Sequence, residues 1–230
     1  MKNTKRRIQN VVFKNRLLNL SFFIRYFLFF LLFTVSSCSN PYKNLTKTEC
    51  SSEQIENIPY ALPYSENTLI YKADIKFYKN DISGLLIIKK TDESIYRIAL
   101  TTQFGLSIFD FELNHGILNV KYCIEYLNKK LILSTFETDF NLLLLQNQFE
   151  KIYFIENIIQ NQKIWQLING KHNYNYIQNT NSEKLENISF KKRNSEKISV
   201  GLYSYKGDIP KNISLEHRNI KLKMNFKLIK

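Results

Sequence analysis

Glycine is scarce in this chain of 230 residues: there are six, alongside four prolines, three cysteines, three histidines and one tryptophan. So few glycines leave little room for a phosphate-cradling loop, whose backbone must approach its ligand closely. The histidines (His115, His172, His217) and the cysteines (Cys38, Cys50, Cys123) show no metal-ligand spacing, so neither a metal nor a cofactor is expected. No apolar run reaches the roughly 20 residues that a membrane-spanning helix needs. Acidic residues are missing altogether before Glu49.

What the N-terminus does have is cationic and then greasy. Lys2, Lys5, Arg6, Arg7, Lys14, Arg16 and Arg25 precede the run Tyr26–Val35, which has the length of a signal-peptide core. Val35-Ser36-Ser37-Cys38 closes it and resembles the lipobox of bacterial lipoproteins. Residues 1–37 are therefore expected to be a lipoprotein signal peptide, with Cys38 as lipidation site and first mature residue. The alternative is an uncleaved anchor, which the unusual length of the basic leader would suit. Removing the leader takes seven basic and no acidic residues, leaving 26 against 20 and a net charge of +6. A modest surplus of lysine on exposed strand faces accounts for that, and nucleic acid is not an expected partner. Cys50 and Cys123 could pair in an oxidising envelope, although Cys123 reads better as a buried thiol in an apolar strand.

Residues 38–68 are polar and carry Pro41, Pro59 and Pro63, the composition of a flexible tether with a short helix near Ser52–Asn57. The rest, 69–230, alternates with period two. Tyr71, Ala73, Ile75 and Phe77 oppose Lys72, Asp74 and Lys76; at the end Leu222, Met224 and Phe226 oppose Lys223, Asn225 and Lys227. Between Ile124 and Gln148 the spacing changes: Leu133, Phe136, Phe140 and Leu143 or Leu144 form a helical stripe, with Ser134, Thr135, Glu137, Asp139 and Asn141 mostly off it. The fold class expected is mainly β, an incomplete antiparallel barrel of ten or eleven strands with a helical lid or plug over an apolar cavity.

Three stretches resemble a known family. Ser83-Gly84-Leu85-Leu86 opens a strand; Tyr96-Arg97-Ile98-Ala99-Leu100-Thr101-Thr102-Gln103-Phe104-Gly105 runs into Phe109–Leu113; and Ile220-Lys221-Leu222-Lys223-Met224 begins the last strand. Their order and spacing are similar to those of LolB-like outer-membrane lipoprotein receptors, of the LolA/LolB lipoprotein-localisation superfamily. The likeness covers roughly 70–114 and 210–230; the middle agrees only in strand–helix–strand order. It implies a half-barrel domain over 69–230 that accepts acylated lipoprotein cargo from a LolA-like periplasmic carrier and inserts it into outer-membrane lipid, without enzymatic chemistry. Phe104, beside Gly105, stands where the family carries a membrane-inserting leucine. The polar neighbours Thr101, Thr102 and Gln103 make so large a ring unusual for a turn, and a plug folded into the core is the other reading of Phe104. Ser39 after Cys38 and the absence of an acidic run there imply a lipid-anchored, periplasm-facing protein of the outer membrane. Ile75, Phe77, Leu86, Ile88, Tyr96, Ile98, Phe109 and Phe111 would face inward, as cavity lining or as ordinary core.

Two alternatives stand beside this reading. A lipid-anchored envelope sensor or hydrophobic-ligand-binding protein could use the same half-barrel. An enzyme could use Asp110 and Glu112 as acid and base, but no histidine or serine motif accompanies them.

Overall fold

The structure, a computed structural model, describes residues 45–50, 58–62 and 68–229; the leader, Cys38 and the helix expected near Ser52–Asn57 lie outside them. Thirteen strands form one antiparallel sheet: β1 Lys47–Glu49, β2 Leu69–Phe77, β3 Asn80–Asp92, β4 Ile95–Thr101, β5 Ser107–Asn114 and β6 Ile117–Cys123. After the helix α1, Lys130–Leu144, come β7 Lys151–Asn157, β8 Gln162–Asn169, β9 His172–Asn179, β10 Leu185–Lys192, β11 Ser195–Lys206, β12 Ile209–His217 and β13 Leu222–Leu228. The order across the sheet is β1-β7-β8-β9-β10-β11-β12-β13-β2-β3-β4-β5-β6, so the C-terminal strand joins two meanders and the sheet stays open, with β1 and β6 as its edges. The mainly β, unclosed antiparallel architecture is the one the alternation predicts.

Two expectations need correction. Among the described residues there are thirteen strands where ten or eleven were expected, and one of the extra strands lies inside the span read as a tether. Lys47, Thr48 and Glu49 pair with Ile155, Phe154 and Tyr153 of β7, and the Cys50 N–H donates to the Ile152 carbonyl at 3.1 Å. Downstream in the same span Ile58, Ala61 and Leu62 are buried in the core. Backbone pairing needs no apolar side chain, which is why so polar a strand escapes a pattern search.

Strand chemistry decides which face looks inward. In β13 Leu222, Met224 and Phe226 are buried while Lys223 and Lys227 stay in solvent; in β2 Tyr71, Ala73 and Ile75 do the same against Lys72 and Lys76. Gly84 marks a close approach between strands: a Cβ built there would lie 2.1 Å from the Thr101 carbonyl oxygen. No side chain fits between β3 and β4 at that point.

Candidate functional site

The inner face of the sheet is closed by α1. Phe136, Phe140 and Leu143 recur at helical spacing and point into the same cluster as the strand residues. Phe109 and Phe111 stack on β5 with ring centroids 4.3 Å apart, and Phe136 lies over them at 5.3 and 6.0 Å. Polar bonds pin the helix around its circumference. The Glu137 carboxylate accepts the Leu118 N–H of β6 at 3.0 Å, the Asn141 side-chain amide donates to the Gly116 carbonyl at 2.8 Å, and the Tyr176 hydroxyl of β9 donates to the Leu142 carbonyl at 3.0 Å. The Asp139 carboxylate meets His217 Nε2 of β12 at 2.9 and 3.1 Å.

Asp139 departs from the sequence reading, which set it mostly off the apolar stripe. It is fully buried, and that burial pushes its pKa up, partly offset by the hydrogen bond and charge of His217. The signal was present in the spacing: Asp139 is three residues after Phe136 and four before Leu143, on the same helical face.

The eight residues expected to face inward differ in burial. Ile75, Leu86, Ile88, Tyr96, Ile98, Phe109 and Phe111 are buried, and Phe77 is half-buried beside Tyr78. Of these, Phe109 and Phe111 meet the aromatic residues of α1.

Phe104 lies on the β4–β5 turn and is 94% exposed; Leu106 beside it is 69% exposed. Gly105 holds φ +83 at this turn, and Leu106 N–H is tied to Thr102 by its side-chain hydroxyl at 3.1 Å. The aromatic ring is therefore presented to solvent by a closed, hydrogen-bonded turn instead of folding into the core. Hairpin connectivity places this turn at the same end of the sheet as the β2–β3 turn, where Tyr78 is also exposed.

That same end carries the β8–β9, β10–β11 and β12–β13 turns and a cleft of about 360 Å³ between them and the first half of α1. His172 and His217, scattered in sequence, both line it, with Lys192, Lys197 and Thr138.

Asp110 and Glu112, the pair with acid–base potential, are engaged across strands. Arg97 holds Asp110 with two guanidinium bonds of 2.5 Å, and Lys121, the extra residue of a bulge in β6, reaches Glu112 at 3.2 Å. Such diagonal cross-strand pairs hold register. Cys50 and Cys123 are both free thiols, half-buried against the core, and burial pushes both pKa values up.

No family model matches the sequence, and no curated protein matches it. Among solved structures the chain is similar to a domain from Vibrio parahaemolyticus described as an outer membrane lipoprotein-sorting protein. That likeness has a TM-score of 0.49 at 9% identity over 78% of this chain and 88% of that one. A LolA superfamily protein from Nitrosomonas europaea is similar at a TM-score of 0.49 and 6% identity, over 79% of this chain and 92% of that one.

Proposed function

We propose that this protein accepts acylated lipoproteins at the outer membrane, taking their acyl chains onto the inner face of the sheet and releasing them into the bilayer. A LolA-like periplasmic carrier hands over the cargo, and lipid on Cys38 keeps the acceptor at the outer membrane, facing the periplasm. The observation that carries this reading is an apolar inner face covered by one helix, with a large aromatic ring exposed on a turn at the sheet's end.

Magnitudes decide how such a hollow could work. Exposing the five large apolar residues that α1 buries (Phe136, Phe140, Leu142, Leu143 and Leu144) would cost roughly 8–15 kcal/mol. An empty, open hollow is therefore not a populated state. An acyl chain of about sixteen carbons gains on the order of 10 kcal/mol on leaving water, so one chain nearly balances the helix and two or three exceed it. Cargo thus replaces the helix instead of entering a standing cavity. Exchange of this kind needs no external energy source.

Two experiments test the reading. Depleting the protein should leave lipoproteins stranded away from the outer membrane, and mass spectrometry of the purified protein should find acylated peptide. Correct lipoprotein sorting after depletion, with a free lipid as the bound species, would favour a sensor or hydrophobic-ligand-binding protein instead.

A further inference from the structure

The cleft beside α1 has a chemistry that the acyl-chain reading does not use. Its rim carries Lys192 and Lys197, from the end of β10 and the start of β11. Lys192 has no carboxylate partner among the described residues. Lys197 gives one N–H to Ser195 at 3.1 Å and keeps two more. Nearby acids are already engaged: Asp139 by His217, and Glu196 and Glu216 by Arg218 at 3.5 and 3.9 Å. The local balance is positive.

The walls divide by polarity. Ser134, Thr135 and Thr138 present hydroxyls along the helix, each donating to a carbonyl within its own turn at 2.8–3.0 Å and able to rotate toward a ligand oxygen. Opposite them Phe190 and Ile198 form an apolar wall, with the His172 ring packed edge-on to Phe190 at 5.4 Å. His217 lies at the inner end, its orientation set by buried Asp139. About 360 Å³ is near the lower bound of small-molecule sites, which run from about 300 to 1,000 Å³. The space suits one headgroup or small anion.

We propose that this cleft binds a phosphate or carboxylate group, held by Lys192 and Lys197 against the hydroxyl-bearing face of α1. The proposal does not depend on the acyl-acceptor reading. It joins that reading in place only, because the cleft opens at the end of the sheet that also carries Phe104. The ligand is either a free anion or the headgroup of an amphiphile whose first carbons lie on Phe190 and Ile198.

Calorimetry on the full chain in a neutral maltoside detergent tests this with three probes: inorganic phosphate, dihexanoyl phosphatidylglycerol and uncharged octyl glucoside. Saturable binding of phosphate is expected if the ligand is a free anion, and of phosphatidylglycerol alone if apolar contacts are also required. K192Q/K197Q removes two charge-assisted bonds and should weaken binding at least about tenfold. Leu131→Glu, at an exposed position on the cleft wall, should abolish it without disturbing the core. Failure of both anionic probes to bind, equal binding of octyl glucoside, or unchanged affinity in both variants would overturn the assignment.

Discussion

The Asp139 carboxylate, carried on the helix that fills the hollow, holds the His217 ring of β12 through both oxygens, at 2.9 and 3.1 Å. The Asp139 carboxylate has no solvent as an alternative partner, so the bond fixes the rotation of α1 against the sheet. A purely apolar helix could slide or roll at modest cost; this one must break a buried pair first.

Removing one partner should therefore be severe. Asp139→Ala is expected to lower stability by about 1–3 kcal/mol, because it leaves a buried imidazole without its hydrogen-bond partner. Asp139→Asn keeps a hydrogen-bonding group and should cost much less. The carboxyl's pKa is raised in the fold by burial, so its stabilising contribution is complete at acid pH, below the ordinary aspartate range. It falls away as pH climbs through the raised value. Urea unfolding from pH 4 to 8 should show wild type losing ground to Asp139→Asn as pH rises, and parallel curves would refute this.

Phe140→Ala should open a void under the Phe109–Phe136 cluster and cost about 3–5 kcal/mol, read as a lower denaturant midpoint at unchanged slope. The same variant should bind apolar dyes more readily than wild type, since its hollow is no longer filled. Equal dye binding would mean that the helix had collapsed onto the gap.

Phe104→Glu should leave stability within about 0.5 kcal/mol of wild type, because the ring is almost wholly in solvent. On the proposed function it should retain acylated-peptide binding and lose transfer into vesicles of outer-membrane lipid. Normal transfer by this variant would remove the turn from the mechanism.

Gly84→Ala forces a Cβ to within 2.1 Å of a backbone oxygen that cannot rotate away. The β3–β4 ladder must part, at the upper end of overpacking costs, about 3 kcal/mol. Loss of amide-exchange protection confined to β3 and β4 would locate the damage there.

Alkylation offers a check on both described thiols. Burial raises their pKa values, so thiolate forms later in the native protein than in the unfolded chain. Peptide-resolved iodoacetamide labelling of Cys50 and Cys123 should rise at higher pH in buffer than in urea. Stability tied to these thiols is complete below the ordinary thiol value and lost above the raised one.

The architecture was readable where side chains alternate or recur, as in Tyr71–Phe77, Leu222–Leu228 and the stripe Phe136–Phe140–Leu143. It was unreadable where backbone alone does the pairing, as in Lys47–Glu49. The exposed turn was visible from a phenylalanine among polar neighbours, although its direction was not, since local composition says nothing of whether a ring folds in or out. Asp139 and His217 are 78 residues apart and His172 is on another strand, so the cleft exists only once the meander has curled. No local window contains that information.

Finally, among the described residues the sheet ends in two strands that pair with no further strand on their outer sides, and β6 exposes Ile117, Val120 and Tyr122 while its Leu118 N–H is taken by Glu137 of α1. A sealed cylinder can change its girth only by rupturing a ladder, whereas a split one can flex wider with every existing rung intact. With no ladder joining β1 to β6 among the described residues, this sheet is of the second kind, and its curvature can change without unzipping a strand pair.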